Sequence, residues 1–154
     1  MSEQAQFALS EYDETIRAVL DSGGEFRIYP KGTSMLPLLR QGMDSVVLEK
    51  PKGALRCGDI AFYLRDGGGY VLHRVMKAEN GRYTMCGDNQ LRLEEGILDP
   101  YIIGVVTRFY RNDKCVELDS LRYRMFVFLW RSFFVRRVYF KLRNIKDRIT
   151  KRQE

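Results

Sequence analysis

Histidine is nearly missing from this chain. Of 154 residues only His73 carries an imidazole, so any chemistry that needs an unperturbed side chain titrating near neutral pH rests on that one ring. Cysteine is sparse as well. Cys57, Cys86 and Cys115 are odd in number and far apart, with no Cys-x-x-Cys pair and no Cys/His cluster. That spacing argues against a zinc site and a disulfide framework, and three unpaired thiols suit a reducing compartment. Neither a metal nor a cofactor is expected. Met1 to Phe7 lacks both a basic n-region and an apolar h-region, so neither a signal peptide nor an N-terminal membrane anchor is expected. Glycine and proline are absent from residues 120–150, which removes the usual helix breakers from that stretch.

The residues present describe a folded chain with a divided charge. At 45% hydrophobic and 30% charged residues, the composition is that of a globular protein long enough to bury one core. From Ser120 onward there are eleven Lys/Arg against two acids, while the rest of the chain carries fifteen against eighteen. A near-neutral domain with a basic tail differs from a uniformly basic nucleic-acid binder, and no nucleic acid is expected as partner.

Phe7, Leu9, Tyr12, Ile16, Val19 and Leu20 form an imperfect apolar stripe, ended by Asp21-Ser22-Gly23-Gly24, and predict a helix from about Gln6 to Leu20. Strand-like runs follow at Phe26–Tyr29, Ser45–Leu48, Asp59–Leu64, Tyr70–Met76, Tyr83–Cys86, Ile102–Tyr110 and Lys114–Leu118. Asp66-Gly67-Gly68-Gly69 reads as a hairpin loop and Asn80-Gly81 as a two-residue hairpin turn. The fold expected is mostly β. A helical segment (1–24) leads into a compact antiparallel β domain (25–119), and a long basic, aromatic-rich helix (120–154) ends the chain.

Three short motifs could carry chemistry. Ser34 lies in Gly32-Thr33-Ser34-Met35-Leu36-Pro37, a turn suited to presenting a hydroxyl. Gly32 allows close backbone approach, Met35 can pin the turn into the core, and Pro37 prevents a ladder from extending. His73 falls 39 residues later in Val71-Leu72-His73-Arg74-Val75 and shares a strand face with Val71 and Val75. Gly87-Asp88-Asn89 follows, with Glu94 and Glu95 close behind. A serine hydroxyl needs a base to accept its proton, and a carboxylate behind the ring would fix its tautomer. Each motif alone also fits a plainer reading: a surface turn, a core histidine and a common Gly-Asp turn. Arg74 likewise either orients an acid near the site or is a solvated residue on the face opposite His73, the simpler expectation.

Taken in order, Ser-Met-x-Pro, Gly58-Asp59-Ile60, His73-Arg74-Val75 and Gly87-Asp88-Asn89 resemble the signal peptidase I family. The similarity is to the branch of archaea, eukaryotes and spore-forming bacteria whose base is histidine, and it spans roughly residues 26–108. It implies a catalytic β domain related to the self-cleaving LexA-type peptidases. It also implies a serine endopeptidase that cuts a leader or signal-like segment from a peptide or preprotein. On this resemblance Ser34 is the nucleophile and His73 the general base. Asp88 occupies the Gly-Asp position, and Glu94 falls where that branch usually places a second acid, an Asp. No counterpart of the family's membrane anchor ahead of the serine is expected from residues 1–24. Gly32 supplies no hydroxyl, so oxyanion stabilisation would rest on the Ser34 N–H and the Thr33 hydroxyl. Competing readings are a non-catalytic or self-cleaving LexA-type regulatory domain and an adaptor at a membrane surface.

The basic tail opens with an apolar run, Met125 to Trp130, interrupted by Arg131, Arg136 and Arg137. A bilayer span needs about 20 largely apolar residues, and each central arginine costs roughly 2.5–3.5 kcal/mol, so a spanning helix is not expected. Beyond Trp130, the residues Phe134, Val138, Leu142, Ile145 and Ile149 recur at helical spacing, with Arg136, Arg143 and Lys151 away from them. The pattern suits a helix in the membrane interface, with Phe126, Trp130, Phe134, Arg136 and Arg137 as contact candidates. Packing on the β domain and docking on a partner are the alternatives. The localisation expected is peripheral, on the cytoplasmic face of a membrane, with a soluble cytoplasmic protein as the second option.

Overall fold

A computed structural model of the chain describes residues 3–65 and 67–150, the side chains of 3–11 and 147 excepted. Phe7, Leu9, Asp66 and Lys151 therefore lie, as side chains, outside the described residues. Helix α1 (Glu3–Asp21) is followed by eight strands: β1 (Phe26–Ile28), β2 (Ser45–Glu49), β3 (Ile60–Leu64), β4 (Tyr70–Glu79), β5 (Arg82–Cys86), β6 (Glu94–Leu98), β7 (Ile102–Arg111) and β8 (Lys114–Glu117). Helices α2 (Leu121–Trp130) and α3 (Phe133–Thr150) close the described chain.

The strands form one antiparallel sheet in the order β1-β2-β7-β3-β4-β5-β6, with β8 added to β7. The long β7 holds it together: its middle and end pair with β2, while its other edge is shared by β3 and then β8. The hairpin of β4 and β5 turns on Asn80-Gly81, both at positive φ (48° and 71°), as a two-residue turn between right-twisted strands requires. Register irregularities in β2, β3, β4 and β5 bend the strands locally.

Alternation along the strands separates two cores. Ile60, Phe62, Leu72, Val46, Leu48 and Val106 face Ile16 and Leu20 of α1, Met35 and Leu39 of the Ser34 turn, and Tyr123 of α2. Ala61, Tyr63, Val75, Tyr83, Met85 and Ile97 form the other. Met35 is buried in the first core, so the serine turn is anchored from beneath.

Two expectations need correction. Glu94–Leu98 is a strand that alternation does not announce, because Glu94, Glu95 and Gly96 interrupt it; as the last strand in the order it needs only β5 as partner. The single long C-terminal helix is two helices, broken at Arg131-Ser132. Ser132 gives its carbonyl to the Arg136 N–H, and the Arg136 guanidinium turns back to the Trp130 carbonyl at 2.6 Å. Local propensity without Gly or Pro favoured one helix; these tertiary contacts override it.

Candidate functional site

β3 and β4 pair with Ala61 opposite His73 and Tyr63 opposite Val71, so Tyr63 and His73 project to the same face. On the next strands Val75 pairs with Met85 and Met85 with Glu94, which brings the edge-strand carboxylate to that face as well. Glu94 Oε1 lies 3.3 Å from His73 Nδ1. The Tyr63 hydroxyl lies 2.9 Å from Glu94 Oε2 and 3.2 Å from His73 Nδ1, and Arg65 forks onto the outer side of Glu94 through its Nε, at 2.8 Å, and its Nη2.

That arrangement fixes the proton inventory. A phenol has one proton; burial, followed by Glu94, pushes the Tyr63 pKa far up, so the proton stays. Given to the carboxylate, it leaves the Tyr63 oxygen as an acceptor, and Nδ1 of His73 must be the N–H. The lone pair then sits on Nε2. Burial is the largest influence on the ring and lowers its pKa, with Glu94 pulling back, so the imidazole is neutral at pH 7. Glu94 is the reverse case. Burial opposes its ionisation, but hydrogen bonds from Arg65 and Tyr63 outweigh it and hold the carboxyl below its ordinary range. A neutral ring oriented by an ionised acid is the resting state a general base needs.

Ser34 is half-buried and lines a cavity of about 560 Å³ with Tyr12, Met35, Phe62, Tyr70 and Leu72. Leu72 precedes His73 on β4 but points to the opposite face, with Phe62 and Met35, and His73 is not among the residues that line this cavity. Among the described residues, no hydrogen bond joins Ser34 Oγ to His73. What does bind the turn is the β5–β6 loop: the Asn89 N–H donates to the Ser34 carbonyl at 2.7 Å. Gly87 permits that approach, since a Cβ there would stand 2.7 Å from the Ser34 carbonyl oxygen. Gly32 (φ 83°) and Thr33 are exposed, the Thr33 carbonyl accepting from the Leu36 N–H.

Asp88 takes a different place from the one expected of it. It is fully buried, and Arg74 Nε and Nη2 engage its two oxygens at 2.8 and 2.6 Å. It contacts His73 by no hydrogen bond, so of the two acids only Glu94 stands at the ring. Arg74 does lie on the face opposite His73, but it is not solvated. It is 0% exposed, because α2 covers that face, and its Nη1 reaches the Gly58 carbonyl (2.8 Å) and the Tyr123 hydroxyl (3.1 Å).

The tail candidates divide in the same way. Trp130 and Arg136 are buried and Phe126 packs against the core; Phe134 and Arg137 are exposed. The Trp130 indole donates to the Asp88 carbonyl at 2.9 Å. Arg136 gathers the Gly87 (2.9 Å) and Gln90 (3.1 Å) carbonyls, and Arg143 donates to Asn89 Oδ1 (2.8 Å). Residues 87–90 are thus gripped from outside by α2 and α3 while they hold Ser34 from inside.

Sequence reasoning missed Tyr63 and Arg65, and it took Arg136 and Trp130 for membrane contacts, whereas both are buried against the β5–β6 loop. Tyr63 was recoverable: counting back across the Arg65–Gly69 loop places it on the His73 face. Arg136 had no local signal. Among the described residues no group of three His, Cys, Asp or Glu side chains is placed to hold a metal, and no helix is long and apolar enough to cross a membrane. No protein-family model, curated protein or solved structure matches the chain.

Proposed function

We propose that the chain is a serine endopeptidase of the signal peptidase I type, built on a signal-peptidase/LexA-like β domain, that removes a leader or signal-like segment from a peptide or preprotein. The observation that carries the reading is the state of the only histidine. His73 is buried, its Nδ1 faces Glu94 and Tyr63, and its strand borders the Ser34 cavity through Tyr70, Val71 and Leu72.

In the reaction Ser34 Oγ attacks the scissile carbonyl carbon as Nε2 of His73 takes the hydroxyl proton. Glu94 holds the ring and stabilises the imidazolium as it forms. The tetrahedral oxyanion is received by the Ser34 N–H and the adjoining Gly32-Thr33 turn. Collapse breaks the C–N bond, and Nε2 returns its proton to the leaving amine. Water then attacks the acyl-Ser34 ester by the same route, releasing the acid and restoring the hydroxyl. The apolar walls given by Met35, Phe62 and Leu72 suit an uncharged side chain next to the scissile bond.

One observation favours a second reading, a binding module of the LexA type: Ser34 and His73 are not hydrogen-bonded to each other. In substrate-free serine hydrolases that contact is often loose, so the peptidase is the stronger reading. The test is cleavage of a leader-bearing peptide by the purified chain. Ser34→Ala and His73→Ala should each abolish it while circular dichroism and thermal unfolding show a folded protein. Full activity in His73→Ala would remove the mechanism, and a wild-type chain that binds the peptide uncut would favour the module.

A further inference from the structure

Helices α2 and α3 each turn one face to the β domain and one outward; α3 is amphipathic, whereas α2 is apolar almost all round. The inward face is made by Tyr123, Trp130 and Arg136, which are buried, and by Arg143, which holds Asn89. The outward face is apolar. On α2 it carries Met125, Phe128 and Leu129, at 58, 79 and 51% exposure; on α3 it carries Phe134, Val138, Leu142, Ile145 and Ile149, at 75, 43, 62, 45 and 55%. These side chains recur at three- and four-residue spacing, so they form a stripe; on α2 its edge also borders a groove shared with Cys57, Gly58 and Asp59. Packing on the β domain accounts for the inward face and leaves the outward one uncovered.

Cations border that stripe in a regular way. Arg124, Arg137, Lys141 and Arg148 each immediately precede an exposed apolar residue, namely Met125, Val138, Leu142 and Ile149, which sets them along one flank. All four are exposed, and none has an acidic partner among the described side chains. Helices α2 and α3 with their junction contain nine Lys/Arg and one acid, Asp147.

We infer that the outward face of α2 and α3 docks on a lipid surface bearing anionic headgroups. Such a surface offers an apolar layer for Phe128, Phe134 and Leu142 and, at headgroup level, negative charge for the flanking cations. A second copy of this chain fits less well, since pairing two such stripes would bring like charges together. The helices lie along the bilayer, because neither can cross it. Their opposite faces meanwhile keep hold of residues 87–90 and, through them, the Ser34 turn, so docking sets the β domain directly on the membrane.

Vesicle flotation tests this with the full chain. Flotation is expected with phosphatidylcholine vesicles containing phosphatidylglycerol, weaker by about tenfold or more with phosphatidylcholine alone, and diminished as salt is raised. Phe134→Ser combined with Leu142→Ser should abolish it, as should Arg137→Glu combined with Lys141→Glu. Both pairs are exposed, so unchanged thermal unfolding should accompany the loss. Ser34→Ala should float like the parent chain, which keeps this outcome separate from that of the peptidase reading. The inference is overturned if the chain floats with neither vesicle or if the Phe134/Leu142 variant floats undiminished. It is equally overturned if sedimentation finds a dimer that this variant dissolves, because a second copy then covers the face.

Discussion

His73 and Arg74 are neighbours on β4 and face opposite ways, and the two sides of that strand use charge differently. On the His73 side the charged groups sit partly in solvent around a buried imidazole: a carboxylate about one fifth exposed and an arginine nearly half exposed. On the Arg74 side Arg74, Asp88 and Arg136 are all at 0% exposure. Their charges are neutralised in place by a two-point ion pair and by backbone carbonyls. The first arrangement can move a proton and restore it. The second cannot change charge without leaving a bare ion in a dry core, so it serves to fasten α2, α3 and the β5–β6 loop around Ser34.

The largest effect should come from breaking the sealed side. Arg74→Met leaves the Asp88 carboxylate with only the Arg136 guanidinium, 3.6 Å away and without a hydrogen bond, and breaking such a buried pair costs about 3–5 kcal/mol, read as a fall in the urea midpoint. Adding Asp88→Leu should restore much of that loss, since the charge to be buried is gone. A single variant as stable as the parent would show that Asp88 finds another partner. On the other side, Glu94→Gln should leave stability within about 1 kcal/mol, because the Arg65 pair is exposed. On the proposed peptidase reading it should also cut kcat/KM about a hundredfold, because the amide cannot stabilise the imidazolium. Equal stability losses for Arg74→Met and Glu94→Gln would erase the distinction between the two sides.

Why one side was legible in the sequence and the other was not follows from the same physics. Strand alternation placed His73 with Val71 and Val75, and turn chemistry located the Asn80-Gly81 hairpin; both are local rules. The Ser34 turn and the Gly87-Asp88-Asn89 segment could be named, but which acid stands at the ring depends on register across β4, β5 and β6. The β6 strand itself was hidden by its charges and glycine. Arg74 looked like a solvated strand residue because nothing near it in sequence announces α2, which begins 47 residues later. The same distance hid Arg136, whose ligands are carbonyls and therefore carry no side-chain signature.

The titration of His73 sharpens the comparison further. Burial lowers its pKa from 6.5 and Glu94 raises it only in part, so kcat/KM should rise through an acid limb centred below pH 6.5. Glu94→Gln removes the upward pull and should shift that limb further toward acid. The native ring takes up its proton at lower pH than the unfolded one. Its contribution to stability is therefore complete above the unfolded value and is lost as the pH falls toward the native pKa. A limb above pH 6.5 would mean a ring charged at rest, contrary to the proton inventory drawn from Tyr63.

The smallest effect expected is at the outer end of the sealed side. Arg143 is half-buried and holds Asn89 through one 2.8 Å bond, whereas Arg136 holds the same loop through two carbonyls at the Gly87 and Gln90 positions. Arg143→Ala should therefore cost only about 0.5–1.5 kcal/mol in urea unfolding. It should leave the acid limb of kcat/KM in place, because Arg143 is separated from His73 by the loop it binds. Should the limb move, the grip of α3 on residues 87–90 reaches the ring as well as the serine turn, and the two sides of β4 are coupled through Asn89 rather than merely back to back.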